Sequence, residues 1–181
     1  MFEWVSEPND DFGWHLGRGV RLTPDELPTH ARLSTPFKTL PDFVRLPRAW
    51  GVTDAFRDKV EELEPGVHQF FPVTLLDPKG VPIEGARYSI LNILNVVPAM
   101  DTELTRGNWI EPISPSAERI FEFAGGVNFH MVLRREVAGS LHLWRDALRP
   151  RSGVFFSDAL GDWVKREKLK KLDTYRPIWA D

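Results

Sequence analysis

The stretch TDAFRDKVEELEPGVHQFFPVTLLDPKG, Thr53 to Gly80, holds a helix, its stop, an apolar strand and a turn in direct succession. Thr53 is a natural N-cap, with an oxygen to accept from the first free backbone N–H groups, and Asp54 suits the positive end of the helix dipole. Phe56, Val60 and Leu63 recur at i, i+4 and i+7, which lays one apolar stripe along a helix from Thr53 to Glu64. Pro65-Gly66 stops it. Phe70 to Leu76 reads as a strand, and Asp77-Pro78-Lys79-Gly80 carries proline and glycine at the second and fourth places of a tight turn. A return strand is expected within Ala86 to Val97.

Outward from that stretch the signals are shorter. Residues 1–51 hold Pro8, Pro24, Pro28, Pro36, Pro41 and Pro47, and proline suits neither helix interiors nor central strands. Loops and short strands wrapped over a core are expected there, held down by Trp4, Phe12, Trp14, Phe37, Phe43 and Trp50. A second strand pair is expected from Asn128 to Arg134 and Ser140 to Arg145, separated by Gly139. Gly153 to Phe156 leads into a second capped helix, SDALGDWVKREKL, and DTYRPIW ends the chain as a short strand. The two helices echo one another: TDAFRDKVEE (Thr53–Glu62) matches SDALGDWVKR (Ser157–Arg166) in hydroxyl, Asp, Ala, large apolar, Asp and Val. Duplication of a unit and the shared physics of caps and stripes both account for the match.

Composition narrows the function. A chain of 181 residues with 42% apolar and 12% aromatic side chains has the material for one well-filled domain. Cysteine is absent, which removes disulfides, thiolate metal sites and cysteine nucleophiles. A net charge of −3, from 23 basic and 26 acidic residues, lacks the basic excess of a nucleic-acid binder. MFEWVSEPNDDFGW is acidic where a signal peptide needs basic residues and an apolar run, and no segment reaches the ~18 apolar residues of a membrane span. A soluble, cytoplasmic protein without cofactor is the expectation.

His15, His30, His68, His130 and His142 show no metal-ligand spacing. His142, Trp144 and Asp146 of HLWRD would share a strand face by alternation, with Ser140 in the same phase, so a small hydrolase using His142 and Asp146 is one reading. No nucleophile elbow accompanies them. Gly125-Gly126 lacks phosphate-loop spacing and reads as a turn. KREKLKK, Lys165 to Lys171, reads as a solvated helix end. On the first helix Asp54, Asp58 and Glu62 stand at i, i+4 and i+8 with Glu61 beside them. Like charges so spaced cost roughly 0.2–0.5 kcal/mol per pair. Arg57 can offset this through Glu61. These four acids are the candidate partner-binding residues, with a plain solvated face as the alternative.

VTDAFRDKVEELEPGVHQFFPVTLLDPKGVPIEG, together with SLHLWRD and VFFSDAL, resembles the bacterial immunity protein family eleven over roughly Lys38 to Arg176. The resemblance implies an α+β protein, and the elements above are expected to form a single α+β domain, an antiparallel or mixed sheet with two principal helices packed on it. It also implies an immunity protein that neutralises the cognate toxin of a polymorphic toxin system by stoichiometric binding, with no catalytic residues and no reaction of its own. His68 then belongs to the fold signature. The first 37 residues fall outside the resemblance as a Pro-rich segment packed on the core. A regulatory binding module without a toxin is the remaining alternative.

Overall fold

The computed structural model describes residues 1–5, 11–35, 38–111, 119–123, 130–148, 153–169 and 177–180. The first half runs β1 (Phe2–Trp4), α1 (Phe12–Gly17), a 3-10 turn (Pro24–Glu26), β2 (His30–Leu33), β3 (Phe43–Leu46), β4 (Ala49–Thr53), α2 (Asp54–Leu63), β5 (Gln69–Leu76) and β6 (Tyr88–Asn92). Its six strands form one mixed sheet in the order β1-β2-β5-β6-β4-β3. β2 and β5 run parallel and the other neighbours antiparallel. The edge strands β1 and β3 touch, and Trp4 Nε1 donates to Pro47 O at 3.0 Å, so the sheet curls into a nearly closed barrel.

Alternation along the strands divides two cores. Val44, Leu46, Phe71, Val73, Leu75, Tyr88 and Ile90 fill the barrel with Phe12 and Leu16 of α1. Their out-of-phase neighbours Phe43, Val52, Phe70 and Leu91 face the other way, as a period of two requires. Gly51 belongs to the inner phase, where a Cβ would lie 2.6 Å from Val44 Cγ2.

The second half runs β7 (Val96–Val97), β8 (Gly107–Ile110), β9 (Ile120–Phe123), β10 (Val132–Arg134), α3 (Arg135–Ala138), β11 (Leu143–Asp146), β12 (Phe155–Phe156), α4 (Asp158–Arg166) and β13 (Ile178–Ala180). These strands make three small sheets, β12-β11-β7, β10-β13 and β8-β9. α2 packs on β4 and β6, and α4 on β12. Phe56 and Val60 of α2 meet Leu160 and Val164 of α4 in one core. The echo in sequence is thus an echo in packing, with Phe56 matching Leu160 and Val60 matching Val164.

The structure bears out the mixed α/β content and the mixed sheet, and changes several details. The short strands expected in the Pro-rich start are present, and instead of wrapping over a core they supply, as β1 to β4, four of the six barrel strands. Pro24, Pro28, Pro41 and Pro47 sit in the connections and leave the ladders intact. The expected pair of strands around Gly139 is not a hairpin. Arg135–Ala138 coils into α3, β10 pairs in parallel with β13, and β11 pairs with β12 and β7. Residues 128 and 129, and 173–176 of the final expected strand, lie outside the described residues.

Candidate functional site

α2 ends at a polar junction built on Glu64. Its backbone N–H still donates to Val60 O at 2.8 Å, and Gly66 at φ 67° turns the chain toward β5. The Glu64 carboxylate, with the residue only 8% exposed, gathers four donors. Oε1 accepts from the His142 backbone N–H at 3.0 Å and from Asn95 Nδ2 at 3.2 Å; Oε2 accepts from the Leu143 N–H at 3.0 Å and stands 2.8 Å from His68 Nε2. His68 Nδ1 accepts from the Leu94 N–H at 3.2 Å, which places the ring proton on Nε2, facing the carboxylate. Burial alone would raise the Glu64 pKa, but the His68 and backbone donors together hold it below the usual carboxylate range. Both ring nitrogens and both oxygens are occupied in joining α2, β5 and β11. His68 is a structural histidine.

The hydrolase pair does not assemble. His142 precedes β11, and its Nδ1 is 2.8 Å from Ser157 Oγ. Asp146 is fully buried and accepts from the Met100 N–H at 2.6 Å and the Leu148 N–H at 2.9 Å. Its carboxyl is occupied by backbone, and burial pushes its pKa up against those hydrogen bonds. Ser140 lies in the turn after α3, outside β11. Ser157, which sequence reading placed only as a cap, does cap: its Oγ accepts from the Leu160 N–H at 3.2 Å. The Ser157–His142 contact therefore closes a helix start. No carboxylate is seen on the His142 ring among the described contacts; Glu64 meets its backbone instead.

His15 packs edge-on against Trp14, and His30 Nδ1 lies 2.9 Å from Thr29 Oγ1. Among the described residues no group of three His, Asp or Glu side chains is placed to hold a metal. Gly125-Gly126 lies outside the described residues.

The four acids of α2 are distributed unequally. Asp54 meets Arg57 at 2.9 Å and Arg87 at 3.6 Å, and Glu61 accepts from the Gly66 N–H at 3.0 Å, so both are committed locally. Asp58 and Glu62 are the outward pair, their side chains 67% and 66% exposed, although Arg57 and Lys59 lie at 2.8 and 2.5 Å. The expected Arg57–Glu61 pair is replaced by Arg57 with Asp54 and Asp58, since the same guanidinium reaches both. Thr53 also departs from expectation: it sits extended at the N-cap without a side-chain cap bond, and its Oγ1 donates to Asp42 Oδ1 at 3.4 Å. At the end of α4, Lys165, Arg166 and Lys168 are exposed.

Sequence reading missed Glu64 as the partner of His68, and Asn95 as a donor to Glu64. The available signal was a glutamate four residues before a histidine at a helix stop, which spacing alone assigns to solvent as readily as to a core.

A curled mixed sheet that carries α2 on β4 and β6, with Glu64, His68 and Asp146 tied into the fold by hydrogen bonds, defines a mixed α/β protein that presents a charged helix surface. The model of the immunity protein family (Imm11) matches residues 15–176, and the chain belongs to that family. The match begins ahead of Lys38, so most of the Pro-rich start lies inside it, in keeping with its place in the barrel. No curated protein matches the chain. Among the described residues no helix is long and apolar enough to cross a membrane.

Proposed function

We propose that the protein neutralises a cognate toxin by stoichiometric protein–protein binding, as the immunity partner of a polymorphic toxin in the cytoplasm of the producing cell, without a reaction of its own. The observation that carries this is the family match over residues 15–176. It is supported by the commitment of His68, His142 and Asp146 to structural hydrogen bonds. In this reading the α2 face of Asp54, Asp58, Glu61 and Glu62 contributes to the contact, with Asp58 and Glu62 the residues open to a partner and basic toxin groups the complementary chemistry. The test is titration of toxin activity with the purified protein. Activity should fall linearly to an endpoint at one protein per toxin. Complete protection by a small fraction of an equivalent, with turnover, would replace the binder by a catalyst.

A further inference from the structure

α1 lies across one end of the barrel and is held to it at both of its ends. The chain leaving the helix is bonded into the barrel wall. Asn92 Nδ2 donates to Val20 O at 2.8 Å, and Gln69 exchanges hydrogen bonds of 3.0 and 2.9 Å with the Leu22 backbone. Gly19, at φ +65°, is pressed so close to the Ile93 and Leu94 carbonyls that a Cβ would come within 3.0 Å of both. Rings pack against the start of the helix. Phe12 packs edge-on to Trp4 at 6.0 Å, and the Arg48 guanidinium lies 5.0 Å from the Phe12 ring.

Arg48 occupies an unusual backbone position. It follows Pro47 in the turn between β3 and β4 and has φ 62°, the left-handed conformation that glycine takes without strain. A Cβ on Gly13 would lie 2.6 Å from Arg48 Cβ, so helix and turn are in close contact. The side chain that strains the turn is thus the one that covers Phe12. α1 is six residues long and Asp11 makes no side-chain cap bond, so tertiary contacts hold the helix together.

We propose that α1 is a hinged cap on the barrel, anchored through Gly19–Leu22 and latched over Phe12 by Arg48, which opens as a unit ahead of the barrel and uncovers its apolar mouth. Local opening of this kind is governed by the contacts that must break. The chain has no cysteine, so a single engineered thiol reports on it. Leu16 and Leu75 are 2% and 1% exposed, one on the cap and one in the barrel wall. In native buffer Leu16→Cys should react with a thiol reagent about tenfold faster than Leu75→Cys. Adding Arg48→Gly, which keeps the turn, should raise the Leu16→Cys rate about fivefold and leave that of Leu75→Cys unchanged. Equal rates for the two thiols, or a Leu16→Cys rate indifferent to Arg48→Gly, would overturn the cap. If either cysteine variant does not fold, amide exchange of the cysteine-free wild type and Arg48→Gly reads the same quantities: the amides of residues 12–17 must exchange faster than those of Phe71, Val73, Thr74 and Leu75, and must accelerate in the variant while the latter do not.

Discussion

The Glu64 carboxylate takes hydrogen bonds from three separate parts of the chain, and its loss leaves donors stranded more than it removes attraction. In Glu64→Ala the His142 and Leu143 N–H groups lose their acceptor in the interior, at about 1–3 kcal/mol each. The expected loss in urea unfolding is about 3–5 kcal/mol; a loss below about 1 kcal/mol would mean that water replaces the carboxylate. The pH dependence has a definite sign. A carboxylate whose folded pKa lies below its unfolded value stabilises the fold above the unfolded pKa, about 4.3, and that contribution disappears as pH falls through the folded pKa. The stability difference between wild type and Glu64→Gln should therefore be level above about pH 5 and shrink below about pH 4. A difference unchanged at acid pH would place its source elsewhere. His68→Ala should lower the melting temperature more than it lowers protection, because both ring nitrogens serve the junction. A fully stable variant without protection would put His68 at the toxin.

α2 and α4 share a sequence pattern and differ at their caps. Ser157 Oγ accepts from the Leu160 N–H, so Ser157→Ala should cost about 1 kcal/mol or somewhat more. Thr53 makes no such bond and holds Asp42 only at 3.4 Å, so Thr53→Ala should cost about 0.5 kcal/mol or less. Equal losses in denaturant unfolding would show that the hydroxyl alone, regardless of where it points, sets the cap. The contrast marks what sequence can carry at this scale. The stripe of Phe56 and Val60, the Pro65-Gly66 stop and the Asp77–Gly80 turn are local signals, and each appears where spacing predicts: Gly80 N–H closes the turn on Asp77 O at 3.0 Å, and β5 pairs with β6 beyond it. The direction of the Thr53 hydroxyl depends on Asp42, eleven residues away, and so was not legible. The partners of β10 and β11 were illegible for the same reason. A period of two fixes which face is apolar but not which distant strand lies alongside, and β10 finds its neighbour at the opposite end of the second half, in β13.

Closure of the barrel brings the N-terminal strands, scarcely visible as strands in sequence because they are three or four residues long, against β3 and leaves the outer face of β4 and β6 to carry α2. That placement turns Phe56 and Val60 inward and Asp58 and Glu62 outward on a well-supported helix. Reversing both acids to lysine should preserve the fold, since exposed substitutions usually change stability by about 0.5 kcal/mol or less; here Arg57 and Lys59 lose partners, which adds local repulsion but no burial. If basic toxin groups meet this face, the double reversal should slow association and flatten its dependence on salt, because rim charges act mainly through steering. A central, desolvated contact would instead appear in the dissociation rate, at roughly 2–5 kcal/mol. Association and dissociation rates of wild type and Asp58→Lys/Glu62→Lys against the toxin, at two ionic strengths, separate these outcomes. Both rates unchanged at both salts would remove the α2 face from the interface and direct the search to the basic end of α4, where Lys165, Arg166 and Lys168 are exposed.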